Sequence, residues 1–497
     1  VGTHKFFTQV AQADVIGLTA ALAAKARAVA LDVRDFGAVG DGTADDTAAI
    51  QAAINALPVE GGRVVFPVGR FKVTAMLTVT NHCTVLEGVA PANEEDATHW
   101  IGGTRLEAGG TLSGNPMIRV QETANLQPLF GCSIRNITLD GMGVATGRGL
   151  HWRSYRSHLE RVHVYRFATH GIHAEGYGGW DLYDSVLAYV QVSACGSAGL
   201  MLDVGASDLH LLHSVLFSCD VNLHIKSSSL QVTGCHFYDG RNNILFDGNG
   251  SRSKFTTCKI EGSNQHGVVL DTTNGGMSDI QFTGCNFSSN SDTTTNTYDQ
   301  LIVQGPSGTG CSRVQLVGCA FTHKSGPLPR YHVNLGAASQ SAVIVGNSLA
   351  GTDHYGTAAV NDASNASFPA YIAANGGYGP EVYRKWNAAP RTQTVSAATA
   401  NVDVGSNADL QVTLNTVTAT TLTPTGGVNG RTCAVEVFAA TGATRTPTLA
   451  STVKLTDGVT SLALAIPASR VGVFLIRYST LGALNQYELV GSYLRGA

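Results

Sequence analysis

Between about Cys132 and Leu349 the chain repeats itself, and that repeat constrains its fold more than any other feature. Aligned on a short strand with inward-facing residues, it reads "NITLDG", "RVHVYR", "SVLFSCD", "GCHFYDG", "TCKIEG", "GCNFSSN", "GCAFTHK" and "GNSLAG". A second strand follows in most cycles: "GIHAEG", "GLMLDV", "NLHIKS", "NILFDG", "GVVLDT" and "DQLIVQG". Cycles recur every roughly 20 to 34 residues, with variable loops between them. One cycle of short strands cannot close a core alone, so the cycles must stack, about 4.8 Å apart, as a parallel β-solenoid. In this register Cys235, Cys258, Cys285 and Cys319 share one inward position, and Phe237, Ile260, Phe287 and Phe321 share another. The thiol file reads as small apolar filling, with free thiols expected because parallel stacked Cβ vectors are poorly aimed for bridging.

Composition narrows the classes. Charged residues are only 14%, the net charge is −4 and there are 57 glycines, which suits a turn-rich all-β protein and excludes the basic face of a nucleic-acid binder. No apolar run reaches the ~18 residues that span a bilayer; "LTAALAAKARAVAL" is broken by Lys25 and Arg27, so no membrane insertion is expected. "VGTHKFFTQV" lacks the pattern of a secretory signal, and without an initiator Met the chain reads as processed or truncated. The ten cysteines do not form the compact framework of a small secreted domain.

The flanks differ in texture. "QADVIGLTAALAAKARAVA" is a weak amphipathic helix, too small to fold alone, of the kind that packs in parallel about a symmetry axis. In "DVRDFGAVGDGTADDTAAIQAAINALPVEGGRVVFPVGRFKV" the positions Ala49, Ile50, Ala53, Ile54 and Leu57 follow helical spacing, and Asp45, Asp46 and Thr47 sit where side-chain oxygens cap free amides. "GGRVVFPVGRFKV" then predicts a strand, a Pro-x-Gly turn and a second strand. The paired aspartates and the GDG therefore have structural jobs rather than catalytic ones. From about residue 391, Thr-, Val- and Ala-rich alternating strands such as "RTCAVEVFAA" predict a β-sandwich that locks an oligomer, with glycan binding as a second possible task.

Asp32 to Val73 closely resembles the opening signature of the pectate-lyase-like superfamily of right-handed parallel β-helices, in the branch that includes bacteriophage tailspikes, and "ADVIGLTAALAAK" is similar to a segment common in phage tail fibres. The resemblance implies a homotrimer of parallel β-helices with a surface groove that binds and often cleaves bacterial polysaccharide. It also implies attachment to a phage tail or baseplate protein through the N-terminus, and location in the virion tail, acting outside the bacterium. The expected layout is a neck segment at 1–31, a capping helix and first coils at 32–130, the central β-helix with its groove at 131–385, and the C-terminal sandwich at 391–497.

No GxSxG elbow, Walker loop, HExxH or paired CxxC is present, and His158 and His163 are wrongly spaced for helical metal ligands, so no metal and no cofactor is expected. Glycoside hydrolysis needs two carboxyls, one protonated and one ionised. The turns after the first aligned strand carry Asp220, Asp239 and Glu261 on successive coils, with Tyr165, Arg166, Tyr189, His236, Tyr238 and Arg241 on or near the same edge as glycan contacts. A second acidic column, Glu175, Asp203, Asp247 and Asp271, reads as a turn feature of the repeat. Within it Glu175 stands out as a fourth catalytic candidate because "HAEGYGGWDLYD" surrounds it with Tyr177 and Trp180.

The stretch from Arg148 to His173 holds five arginines, five histidines and a single acid, Glu160, which suits either an acidic sugar or an intersubunit salt-bridge surface. The expectation is a tailspike depolymerase that hydrolyses a surface polysaccharide such as capsule, exopolysaccharide or O-antigen. A lyase on an acidic glycan, a spike that binds without cutting, and a secreted pectin-degrading enzyme remain as alternatives.

Overall fold

The structure is a computed structural model that describes residues 30–375, except 93–101, 123–125, 180, 325, 350–353, 366, 369 and 374, and, between 391 and 496, the backbone of the strands. The neck expected at 1–31 therefore lies almost wholly outside the described residues, as does Trp180.

Each coil of the solenoid runs first strand, corner, second strand, turn, third strand. In the early coils the first two strands are continuous, as in Ser133–Asp140 and His158–Tyr165. Later they split around the corner, as in Gln231–Thr233 with His236–Tyr238 and Lys254–Thr256 with Lys259–Glu261. First and second strands together make a 23-stranded sheet, and the third strands make an 11-stranded sheet from Leu77–Val79 to Ala358–Asp362. Neighbouring strands pair in parallel and in register, so Tyr238 lies beside Glu261 and His151 beside His173.

The split follows from local backbone geometry. The corner residue adopts a left-handed conformation in coil after coil, at Gly234, Gly284 and Gly318, and with a side chain at Tyr189, His213 and Thr257. A glycine there avoids the clash between Cβ and carbonyl. The residue after the corner then turns its side chain inward. Cys235, Cys258, Cys285 and Cys319 are all buried in one file, and the nine cysteines of the described residues are free thiols. Each thiol of the file has a backbone carbonyl within reach of its S–H, as Cys235 Sγ donates to the Thr233 carbonyl at 3.4 Å. Beside the thiols Phe237, Ile260, Phe287 and Phe321 are wholly buried, with the Phe287 and Phe321 rings stacked at 4.5 Å. A third file is polar: Asn222 donates to Asn243 at 2.7 Å, Asn243 to Asn290 at 3.1 Å, and Asn290 to Gln300 at 3.3 Å. Stacking satisfies these amides, so they can be buried without the penalty of an orphaned polar group.

The helix Thr47–Asn55 covers the start of the solenoid, burying Ile50, Ala53 and Ile54. Beyond the solenoid the chain forms a second compact unit. Its strands make a six-stranded and a three-stranded sheet; Thr432–Ala439, Arg470–Ser479 and Gln486–Gly496 pair antiparallel, whereas Arg391–Val395, Leu410–Leu414 and Thr432–Ala439 pair in parallel.

Candidate functional site

Two polar clusters stand on the outer wall of the solenoid. The first surrounds the turn between second and third strands. On the outward face of the second strands, Glu261 accepts from His236 Nε2 at 3.0 Å and from Lys259, with Lys324 Nζ at 3.6 Å. Asp239 begins the turn one residue after Tyr238, in the left-handed conformation shared by Ser218, Gly262 and Ser289 at the same place in neighbouring coils. Its carboxylate leans over Gly262, where even a Cβ would sit 2.9 Å from Oδ1.

Acidities in this cluster diverge. Burial, then repulsion from Asp292 and Glu261, raises the Asp239 carboxyl. Burial also works to raise Glu261, but the hydrogen bond from Lys259, reinforced by His236 and Lys324, leaves it below the usual carboxylate range. His236 is pushed down, mainly by burial. Tyr238 lies beside Glu261 and stacks on Phe217 at 4.7 Å, so the cluster has an aromatic flank.

Five expected members do not join this cluster. Asp220 is one step out of line: its coil partner is Arg241, which grips it through two bonds of 2.6 and 2.8 Å and holds its carboxyl below the usual carboxylate range. The pair neutralises its own charge, and neither residue meets the Asp239 turn. Tyr165 is buried, only 3% exposed, against the guanidiniums of Arg105 and Arg166, and Arg166 makes a two-point ion pair with the wholly buried Asp140. With Arg70 and Glu107 these residues form a structural ion-pair network at the head of the solenoid rather than glycan contacts. Tyr189 is exposed, but it stands at the corner between first and second strands, stacked on His213, away from the Asp239 turn.

The second cluster lies on the outward face of the 11-stranded sheet. The middle residues of successive third strands are Arg119, His151 and His173, and the residues after the strands are Arg153, Glu175 and Asp203. Glu175 accepts from His151 Nε2 at 2.7 Å and Arg153 Nε at 3.1 Å; the His151 bond, then the Arg153 bond, brings it down to about 2 despite burial. His173 holds Asp203 down to about 2 in the same way. Burial, then repulsion from His173 and Arg148, lowers His170 to about 4, so it is neutral near pH 7. Glu175, Tyr177, Asp181 and Asp203 line a cleft of about 300 Å³ among glycines 176, 178, 179 and 205. The Tyr177 ring rests 4.9 Å from the Arg153 guanidinium.

His151, His173 and Glu175 present ligand-type atoms within 4.8 Å of one another. Their protons are already committed. Arg148 NH1 faces His173 Nδ1 and can only donate, so the proton of the neutral ring is on Nε2, turned toward Asp203. Arg153 occupies Glu175. The group is a filled hydrogen-bond network, and neither carboxylate in it is suited to act as a proton donor.

From the sequence, Arg148, His151 and His173 stood out only as part of a basic stretch and not as individual site residues, and Lys259, Lys324 and Asp292 did not stand out at all. One signal was available: "LHW", "IHA" and "LHI" repeat a histidine at the outward middle position of the third strand. Lys324 and Asp292 sit in loops of variable length and left none.

Residues 30–173 match the family described as rhamnogalacturonase A/epimerase, pectate lyase-like, and residues 118–303 match the right-handed β-helix region. A mannuronan C5-epimerase of Azotobacter vinelandii, AlgE1, is 37% identical over 116 residues, which is 22% of this chain and 8% of that protein. The match thus spans a small part of that relative's length. Among solved structures, Geobacillus virus E2 ORF18 superposes over 99% of this chain and 80% of its own, with a TM-score of 0.50 and 18% identity. The enzymatically active domain of bacteriophage CBA120 tailspike protein 2 covers 94% of this chain and 70% of its own, with a TM-score of 0.50 and 12% identity. At these identities the likeness is one of fold.

Proposed function

From the right-handed parallel β-helix of the pectate-lyase-like superfamily that residues 30–303 carry, we propose that this protein is a tailspike-type depolymerase that binds a bacterial surface polysaccharide and hydrolyses it, with Asp239 and Glu261 as the working pair. One observation carries the reading: two carboxyls on adjoining coils have environments that push their acidities in opposite directions. That is the division of labour glycoside hydrolysis requires. Asp239, kept protonated more readily, delivers its proton to the glycosidic oxygen as the C–O bond breaks. Glu261, kept ionised, meets the anomeric carbon directly or through a water whose proton it takes. Adjoining coils separate such groups by roughly 5 to 7 Å, which brackets the retaining and inverting geometries. Under this reading the chain is a homotrimer attached to a phage tail through its N-terminus, needs no cofactor and works outside the bacterium.

The test is Asp239→Asn and Glu261→Gln, each assayed by reducing-end release from capsule or O-antigen. General acid–base catalysis contributes about 10²–10⁴-fold, and a loss of that size is expected in both. Asn also tolerates the left-handed backbone at 239, so the fold should survive. Full activity in both variants would remove the assignment.

A second reading, elimination or epimerisation of a uronate, is favoured by the other cluster. Arg148 and Arg153 could neutralise a carboxylate beside a neutral His170, and the named relative is an epimerase. An unsaturated sugar product, seen by its ultraviolet absorbance, or an inverted uronate, seen by NMR, would select it over hydrolysis.

A further inference from the structure

We propose that Lys259 and His236 are positioning residues: they hold Glu261 by one carboxylate oxygen, Oε1, and leave the other, Oε2, to meet the reacting sugar. The proposal rests on the hydrolytic reading above, and it names which oxygen works and what aims it. Lys259 and Glu261 are the first and last residues of a three-residue strand, so alternation puts both on its outward face. His236 is the register partner of Lys259 on the preceding coil and reaches Glu261 along the diagonal. Both donors fall on the same oxygen: His236 Nε2 donates to Oε1 at 3.0 Å, and Lys259 Nζ donates to Oε1 as well.

Two donors fill the lone pairs of Oε1. Oε2 is faced by Lys324 Nζ at 3.6 Å, beyond hydrogen-bond reach, from a 69% exposed side chain that follows the second strand two coils on. The last torsion of a glutamate is broad, so an unanchored carboxylate presents either oxygen. Anchoring Oε1 at two points fixes the choice. Elsewhere the solenoid closes carboxylates with an arginine fork, one nitrogen on each oxygen, as Arg241 does to Asp220, Arg313 to Asp279 and Arg330 to Asp299. Those carboxylates have no oxygen to spare. A sugar approaching Oε2 of Glu261 displaces Lys324, whose ammonium makes no hydrogen bond there. The charged and titratable groups that face Glu261 are Lys259 on its own strand, His236 and Asp239 on the preceding coil, and Lys324, while Asp292 acts on Asp239. Without Lys259, burial and the Asp239 carboxyl would work to raise Glu261, so the acid limb of the activity should move to higher pH.

The test is reducing-end release from capsule or O-antigen by the full chain, measured across pH for Lys259→Met, Lys259→Arg and Lys254→Met. The last removes the same charge from the exposed outward face of a first strand. Lys259→Met should move the acid limb of kcat/KM up by about one pH unit and lower kcat about tenfold at neutral pH, with KM little changed. Lys259→Arg should recover most of both, and Lys254→Met should leave the limb in place. An unmoved limb in a folded Lys259→Met, or an equal shift in Lys254→Met, would overturn the proposal. If Lys259→Met fails to fold, as judged by circular dichroism, His236→Ala decides: loss of its donor should move the limb the same way, and an unmoved limb counts against the positioning role. Glu261→Gln separates this proposal from the reading it rests on. Full activity in Glu261→Gln removes both, whereas an inactive Glu261→Gln beside a Lys259→Met that behaves as the native chain removes only the positioning.

Discussion

Asp45 and Asp46 stand side by side before the helix and do different work. Asp45 Oδ1 accepts from the Thr47 amide, the first of the helix, at 3.0 Å from the position before the N-cap. Asp46, almost wholly buried, reaches back and accepts from the Val39 amide at 2.6 Å and the Gly40 amide at 3.2 Å, pinning the loop that precedes the GDG. Removing a partner from buried amides costs about 1–3 kcal/mol each, whereas a cap costs about 0.5–2 kcal/mol. Asp46→Ala should therefore lower the urea midpoint more than Asp45→Ala; the reverse order would show that the loop does not depend on Asp46. Of the three residues expected to cap free amides of the helix, Asp45, Asp46 and Thr47, only Asp45 meets one, and Thr47 Oγ1 accepts from the Thr74 amide at 2.8 Å instead, because residue type indicates an acceptor but not which amide it meets.

Histidine sets the pH response at the same scale. His170 falls from 6.5 to about 4 through burial, and His151, His163, His224 and His266 are lowered by the same cause. The unfolded chain therefore binds more protons than the folded one between pH 6.5 and about 4, so this contribution is complete above 6.5 and is lost as the pH falls toward 4. His170 alone represents roughly 1–3 kcal/mol once its partial exposure is discounted. The melting temperature should drop across that window, and His170→Gln should flatten the drop. A melting temperature constant from pH 7 to 4 would contradict the assignment.

Among elements, the internal files make the coils interdependent. Asn290 joins three coils by donating to the Ile260 carbonyl at 3.0 Å and to Gln300, and accepting from Asn243 and Ser263. Asn290→Ala leaves several buried groups unpaired, at about 1–3 kcal/mol each, and should cost more in urea unfolding than truncating an exposed Asn. The thiol file should be chemically silent. Within the file the hydrogen bond to the neighbouring thiol, with burial, pushes the Cys258 and Cys285 thiols up to about 12; burial pushes Cys132 up to about 11 and Cys311 to about 12, whereas Cys83 is exposed. Brief maleimide treatment of the native protein, followed by peptide mass spectrometry, should label Cys83 ahead of every other cysteine between 30 and 361. Fast labelling of Cys258 would mean that the coils open. These files were legible beforehand because an inward position recurs at a fixed place in each coil. Asn290 was not, since the loop before Gln300 shifts it out of the repeat.

At the scale of the whole molecule, the two polar clusters lie along one solenoid. The coil of Arg148 and the coil of Asp239 are four third-strand steps apart, or roughly 19 Å at the strand spacing. A glycan lying parallel to the axis would meet both, with its cleaved bond at the Asp239 coil. Product length is the corresponding measurement: cleavage should leave oligosaccharides of several residues rather than monosaccharides, and release of monosaccharides from the outset would argue against a groove of this length. Assembly can be tested separately, by light scattering, where a homotrimer should give three times the mass of one chain.

The sequence by itself determined the solenoid, its inward files and its capping helix, because these depend on strand alternation, turn residues and helical spacing, all local in the chain. Only the tertiary structure decided which polar side chains meet. Asp220 pairs with Arg241 instead of joining Asp239, Arg166 turns to Asp140, and Glu175 is held by histidine and arginine from the preceding coil. Those partners lie 21 to 26 residues away. A shift of one position in coil register exchanges one partner for another, and register is fixed by the stacking of every coil together, not by any segment alone.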